Sequence, residues 1–306
     1  VIKLASNENP LGTSPLVQHT LETHVGLAFR YPQAGNPRLV KAIAAHHGVS
    51  PSRIIVGDGS DEVIDLLFRI CVEPGVNNAV AFMPCFGIYT TQAALCGVEL
   101  RQTPVNADFS FPWDNLLKLV DDKTSLVFVT TPDNPSGYTP PVAELETLAK
   151  ALPDTCLLVL DEAYMDFWDQ SLLPEVLNYD NLIILKTCSK AMGMAALRVG
   201  FAVAGPVLTR ALRAAKSPYN VNSVSQAMGA CVLKKRELLE GCRNALVRSA
   251  RELWEGLSAL AERFPALEEV YPTCTNFVFV RTAGCREIHK ALLERSVAVR
   301  CFDGSL

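Results

Sequence analysis

Three near-continuous apolar runs dominate the middle of the chain: "SLVFVTTP" (125–132), "CLLVLDEAY" (156–164) and "LIILKTCSK" (182–190). A strand with one wet face alternates polar and apolar residues. Unbroken runs fit parallel strands covered on both sides. The segment "PVAELETLAKALP" (141–153) lies between the first two runs and has the length of a crossover helix. "LRVGFAVAG" (197–205) adds another strand. Earlier in the chain, "RIIVGDGSDEVIDLLFRICVEPG" reads as a short strand, a glycine turn and a helix closed by Pro-Gly. "PQAGNPRLVKAIAAHHG" reads as a turn and an amphipathic helix with Leu39, Val40, Ile43 and Ala44 on one face. A further helical stretch is predicted near 14–29. Strands alternating with helices predict an open α/β sheet.

From about residue 207 the pattern turns helical. The stretch 226–264 predicts a long helical region, bent or broken along its length. "TNFVFVR" (275–281) alternates like a half-exposed strand, and "CREIHKALLERSV" (285–297) reads as a helix. This tail predicts a smaller α+β domain packed on the first. The expected division is an N-terminal arm over 1–28, a large domain over 29–235 and a small domain over 236–306.

Composition narrows the class. Of 306 residues, 49% are apolar and 20% charged, which supports a sizeable core and argues against global disorder. The net charge of −4 and the absence of any basic block longer than "KKR" (234–236) give no footing for nucleic acid or an anionic membrane. No apolar stretch approaches the roughly 20 residues that span a bilayer, and no secretory leader pattern is present. The ten cysteines contain no Cys-x-x-Cys pair and no metal-ligand spacing. They read as reduced core residues of a cytoplasmic protein without a metal. Val1 opens inside a motif-like segment and Leu306 closely follows "VRCF", so the natural chain is expected to continue on both sides.

Candidate chemistry gathers where the strong runs end. In open α/β sheets, ligands bind outside the carboxyl ends of the strands. The first run leads to Asn134, the second to Asp161 and Tyr164, and the third to Thr187, Ser189 and Lys190. Side by side, these ends would aim an amide, a carboxylate, a phenol and an amine into one crevice. Each alone has a plain reading as a cap or turn residue. Lys190 is flanked by small and apolar residues in "SKAMGMAAL". Desolvation lowers a lysine pKa, and an uncharged amine can condense with an aldehyde to form a Schiff base. Pyridoxal 5'-phosphate is the usual aldehyde cofactor, and its ring nitrogen calls for a carboxylate, a role that Asp161 fits. "GDGSDE" (57–62) offers a glycine turn and a helix N-terminus as a phosphate cradle, although helix capping explains Ser60 equally well. Thr187, Ser189 and Arg198 would complete the cradle, Arg198 binding bidentately.

These residues carry a resemblance. The stretches "SNENPLG", "YPQAGNPRLVKAIA", "GDGSDEVIDLLFRICVEPG", "MPCFGIY", "TPDNPSG", "LDEAYMDF", "KTCSKAMGMAALRVG", "SPYNVN" and "TNFVFVR" cover nearly the whole chain in one order. In that order they resemble the fold type I pyridoxal-phosphate enzymes, and most of all the histidinol-phosphate aminotransferase family. The resemblance implies a three-layer α/β sandwich with a mostly parallel sheet and a smaller α+β domain. It implies Lys190 as the amine that bonds the cofactor and then moves a proton. It places Asp161 on the ring nitrogen, Asn134 and Tyr164 on the ring hydroxyl, and Phe86 stacked on the ring. Ser60, Asp61, Thr187, Ser189 and Arg198 would hold the phosphate. Tyr31 would reach the phosphate of a neighbouring subunit, which implies a homodimer with shared active sites. Asn9 and Arg300 would lie at the substrate end. Plain alternatives stand beside four of these: core packing for Phe86, turn packing for Tyr31, a turn for Asn9 and a surface charge for Arg300.

The implied reaction moves an amino group between histidinol phosphate and 2-oxoglutarate, in histidine biosynthesis. Two departures from the family pattern stand out. Asp133 occupies a position where the family usually has Asn, and a second, substrate-gripping arginine in a C-terminal strand is not reached before Leu306. The same scaffold also serves threonine-phosphate decarboxylases, transaminases of aromatic and other amino acids, and non-enzymatic pyridoxal-phosphate-binding regulators.

Overall fold

A computed structural model describes residues 1–11, 15–26 and 28–302. In chain order the strands are β1 (Ile2–Lys3), β2 (Ile54–Asp58), β3 (Asn78–Met83), β4 (Glu99–Pro104), β5 (Thr124–Thr130), β6 (Leu157–Asp161), β7 (Leu182–Thr187), β8 (Val199–Ala204), β9 (Leu267–Val270), β10 (Val280–Thr282) and β11 (Val297–Ala298). The helices are α1 (Pro15–Val25), α2 (Pro37–His47), α3 (Gly59–Cys71), α4 (Gly87–Leu95), α5 (Trp113–Leu117), α6 (Val142–Ala151), α7 (Pro206–Ala215), α8 (Ser223–Val232), α9 (Arg236–Ala261) and α10 (Cys285–Glu294).

Seven strands form one sheet in the order β2-β8-β7-β6-β5-β3-β4. The three apolar runs become β5, β6 and β7, which pair in parallel as neighbours. Only β8 runs against the rest, antiparallel to both β7 and β2. Successive side chains leave a strand on opposite faces. Accordingly, Val127, Leu158 and Ile184 join one apolar cluster with α2, α6 and α8. Phe128, Val159 and Ile183 join another with α3, α4 and α7. The architecture is therefore an α/β sandwich of three layers with two cores. Continuous hydrophobicity along β5–β7 has this cause: both faces are covered.

Several expectations change in detail. The helix expected near 14–29 ends at Val25, with Gly26 directly behind it and a turn over 28–30; residues 14 and 27 lie outside the described residues. The long helical region breaks at Leu233–Lys235 into α8 and α9. The strand expected over 275–281 is displaced to Val280–Thr282, where β10 pairs antiparallel with β9. Local hydroxyl bonds explain the shift. The Thr275 hydroxyl accepts from the Phe277 N–H and donates to the Phe277 carbonyl, and the Thr273 hydroxyl accepts from the Thr275 N–H. Such bonds divert backbone groups from a ladder. Of the ten cysteines, read as core residues, only Cys156 and Cys188 are fully buried. Among the described residues, no helix is long and apolar enough to cross a membrane.

The two ends of the chain meet. β1 pairs in parallel with β11, Ile2 opposite Val297 and Lys3 opposite Ala298. This pairing draws residues 4–9 across the carboxyl ends of β6 and β7.

Candidate active site

The loop after β7 carries Lys190. Its backbone is closed by three hydrogen bonds: Cys188 N–H to the Val199 carbonyl, Gly193 N–H to the Lys190 carbonyl and Met194 N–H to the Cys188 carbonyl. Met192 and Met194 are buried in the core beneath it. The Lys190 ammonium donates to the Ser6 carbonyl at 2.8 Å and lies 5.6 Å from the centre of the Tyr164 ring. Burial lowers its pKa, helped by the nearby Arg198 and Arg300 cations, while Glu8 and Asp61 oppose the shift. Arg300 thus lies close enough to Lys190 to be felt electrostatically, and its guanidinium sits over the Phe302 ring.

Asp161 ends β6 and is 2% exposed. Its Oδ1 accepts from the Ala163 N–H at 3.1 Å, and its Oδ2 accepts from the Tyr89 hydroxyl at 2.8 Å. Burial pushes its pKa up to about 6; Tyr89 and the Ala163 N–H pull it down, and the neighbouring Asp61 and Glu162 push it up. No ion pair joins it among the described residues. A sealed carboxylate held only by neutral donors suits a cationic partner entering the crevice.

The candidate anion cradle is assembled from β7, β8 and the start of α3. Gly59, at φ +76°, begins the helix, and its N–H donates to the Arg198 carbonyl. Gly200 lies so close beneath that a Cβ there would run into the Ser60 backbone nitrogen. A Cβ on Gly59 would run into the Arg198 guanidinium. The two glycines therefore let β8 and Arg198 approach the free N–H groups of the first helical turn. Ser60 is the second helical residue, not the cap; Asp58 occupies the cap without a side-chain bond. Capping does not explain Ser60. Arg198 bonds Asp61 at 3.0 Å, and the Thr187 hydroxyl donates to Ser189 Oγ at 3.0 Å. Arg198 itself is left-handed, at φ 54°, a strained choice for a residue with a long side chain.

Around this centre, Tyr164 is 3% exposed. Its hydroxyl accepts from Asn7 Nδ2 at 2.9 Å, and burial raises its pKa to about 12. Asn9 is buried, its amide donating to the Ala191 carbonyl and accepting from the Leu11 N–H. Asn134 is half-buried in the turn after β5. Its neighbour Asp133 is sealed in that turn, accepting from Ser136 N–H and hydroxyl, and burial raises it to about 6. Phe86 caps α4 and meets the Tyr89 ring edge-on at 5.9 Å. Tyr31 stands apart from these groups on this chain. It is 83% exposed and stacks on Tyr219 at 4.9 Å.

Three participants escaped sequence reasoning: Tyr89, Thr130 and Asn7. Tyr89 follows Phe86 by one helical turn in "FGIY", the one local signal that could have flagged it.

A half-buried amine, a buried carboxylate held by neutral donors and a glycine-lined helix start lie close enough that Asp61 is felt by both Lys190 and Asp161, and this donor set fits pyridoxal phosphate. The family model for aminotransferase class I and II matches residues 1–305. The chain belongs to the class I and II aminotransferases. Its cofactor is pyridoxal 5'-phosphate. The enzyme is 46% identical over 305 residues to a histidinol-phosphate aminotransferase of Nitratidesulfovibrio vulgaris, covering 98% of this chain and 80% of the relative. It is 47% identical over 309 residues to one of Oleidesulfovibrio alaskensis, covering 98% and 79%. Among solved structures, the histidinol-phosphate aminotransferase of Sinorhizobium meliloti in complex with pyridoxal-5'-phosphate superposes with a TM-score of 0.90 at 26% identity, covering 98% of this chain and 82% of that one.

Proposed function

We propose that this aminotransferase exchanges an amino group between histidinol phosphate and 2-oxoglutarate, as a cytoplasmic enzyme of histidine biosynthesis. The observation that carries the reading is the nearness of Lys190, Asp161 and the Gly59–Arg198 cradle, linked through Asp61, on a chain so similar to enzymes of that name. Pyridoxal phosphate, when bound, supplies an aldehyde for the amine and an electron-withdrawing ring. Lys190 offers an amine whose pKa burial lowers; in its uncharged form such an amine can attack a carbonyl and later move a proton at the substrate carbon. Asp161 holds a proton on the ring nitrogen. Asn134 and Tyr164 hydrogen-bond the ring hydroxyl, and Phe86 covers the ring face. Ser60, Asp61, Thr187, Ser189 and Arg198 take the phosphate. Asn9 holds the arm over Lys190 at the substrate end, where Arg300 adds positive charge for the anionic end of the substrate.

The working unit in this reading is a homodimer with shared sites. The support is Phe29 and Tyr31, at 77% and 83% exposure. Rings left so bare suit a partner surface. Sedimentation should give twice the chain mass, and Tyr31→Ala should weaken cofactor binding.

The test of the reaction is direct. Adding pyridoxal phosphate should produce a visible absorbance band that Lys190→Ala lacks. Histidinol phosphate with 2-oxoglutarate should then yield glutamate. No band in the wild-type protein, or carbon dioxide release from threonine phosphate in place of glutamate formation, would overturn the reading.

A further inference from the structure

We propose that Tyr89, backed by Thr130, is a positioning residue of this aminotransferase: its hydroxyl fixes the orientation and the charge of Asp161 where that carboxylate faces the cofactor ring. The proposal rests on the cofactor reading above and adds a residue outside the set that touches the ring.

Tyr89 lies on α4 and is 1% exposed. Its ring cannot swing. It stacks on Phe128 at 4.5 Å with 21° between planes, and Phe86 meets it edge-on at 88°. The hydroxyl is placed accordingly, 2.8 Å from Asp161 Oδ2 and 3.0 Å from Thr130 Oγ1. A phenol has one proton, and an ionised carboxylate can only accept. The Tyr89 proton therefore goes to Asp161, and the Thr130 hydroxyl must donate to the Tyr89 oxygen. The result is a directed chain, Thr130 to Tyr89 to Asp161, of the kind in which each bond polarises the next. Burial keeps the phenol well above its ordinary pKa, so it stays a donor.

The chain matters because little else favours a charge on Asp161. Tyr89 reaches it from α4 and the Ala163 N–H from the turn behind β6, while Asp61 on α3 and Glu162, directly after β6, oppose a proton's loss. Tyr164, after β6, also faces it and is itself raised by it. Without the Tyr89 hydroxyl, one neutral N–H would remain against burial and two carboxylates. A protonated Asp161 could not hold a proton on the ring nitrogen. The same helix start thus serves twice: Phe86 at its cap and Tyr89 one turn on.

Tyr89→Phe removes one oxygen and keeps the ring, so the fold should survive, which the melting of the cofactor-free protein will report. The measurement is the dissociation constant of pyridoxal phosphate across a pH series for wild type, Tyr89→Phe and Thr130→Val. Losing one charge-assisted hydrogen bond should weaken binding about tenfold near neutral pH. Affinity should fall with decreasing pH as Asp161 takes up its proton. In Tyr89→Phe that fall should begin about one unit higher, since one unit corresponds to a tenfold change in the proton equilibrium. Thr130→Val should shift the profile the same way by less. Unchanged affinity in Tyr89→Phe, or an equal loss at every pH, overturns the proposal alone, the second because it marks a merely structural role. A wild-type protein that binds no pyridoxal phosphate overturns the cofactor reading and this proposal with it.

Discussion

Two carboxylates of this enzyme, Asp133 and Asp161, are both raised to about 6 by burial, yet they face different things. Asp161 accepts from the Tyr89 hydroxyl and the Ala163 N–H at the end of β6. Asp133 turns inward and serves only the Ser136 turn. A carboxyl whose pKa is raised on folding favours the folded state below its unfolded pKa, and that contribution is lost as pH rises through the folded value. For Asp133 the window runs from about 4 to about 6. An amide oxygen accepts the same two bonds and carries no charge. Asp133→Asn should therefore stabilise the protein by on the order of 2 kcal/mol at neutral pH and by little near pH 4, as read from denaturant midpoints across pH. Arg198 poses the opposite trade. Its left-handed backbone favours glycine, and its exposed pair with Asp61 adds little stability. Arg198→Gly should melt no lower than wild type while binding pyridoxal phosphate at least tenfold more weakly. Lys190, Asp161 and Arg198 were legible from their flanking residues. Tyr89 was not, because the partner that gives it meaning lies 72 positions away in sequence.

Among the elements, legibility followed burial. β5, β6 and β7 announce themselves because both faces are covered. β4 does not: it forms the sheet edge, and "ELRQTP" is mostly polar and half-exposed. β3 is the exception: "NAVAFM" is buried, but so short an apolar run cannot be told from a buried helix segment by its pattern alone. The meeting of β8 with α3 could not be seen at all, since nothing local says that Gly200 faces Gly59. This contact sets the shape of the cradle. Gly200→Ala should force helix and strand apart, costing about 1–3 kcal/mol of stability as overpacking does. Phosphate binding should weaken together with the melting temperature. An unchanged affinity for inorganic phosphate and for pyridoxal phosphate would show that the close approach is not needed there.

At the scale of the whole molecule, the N-terminal arm joins distant parts. Ser6 holds Lys190, Asn7 holds Tyr164, Asn9 holds Ala191, and Asn276 holds the Asn7 carbonyl. The sequence showed "SNENPLG" as a motif but not what it spans, because every partner is more than 150 residues away. Asn9→Ala removes one donor and one acceptor from this strap. It should raise amide exchange over residues 4–11 and increase KM for the amino substrate several-fold, while the core of the seven-stranded sheet exchanges as before. The pairing of Ile2 with Val297 has a consequence in time as well. Its two partners lie far apart in sequence, and closing so long a loop must wait until the later one exists. The large sheet can take shape while the chain is still being made. The arm over Lys190 cannot settle until synthesis has passed residue 298, so the crossing over the lysine is expected to close only after the seven-stranded sheet has formed.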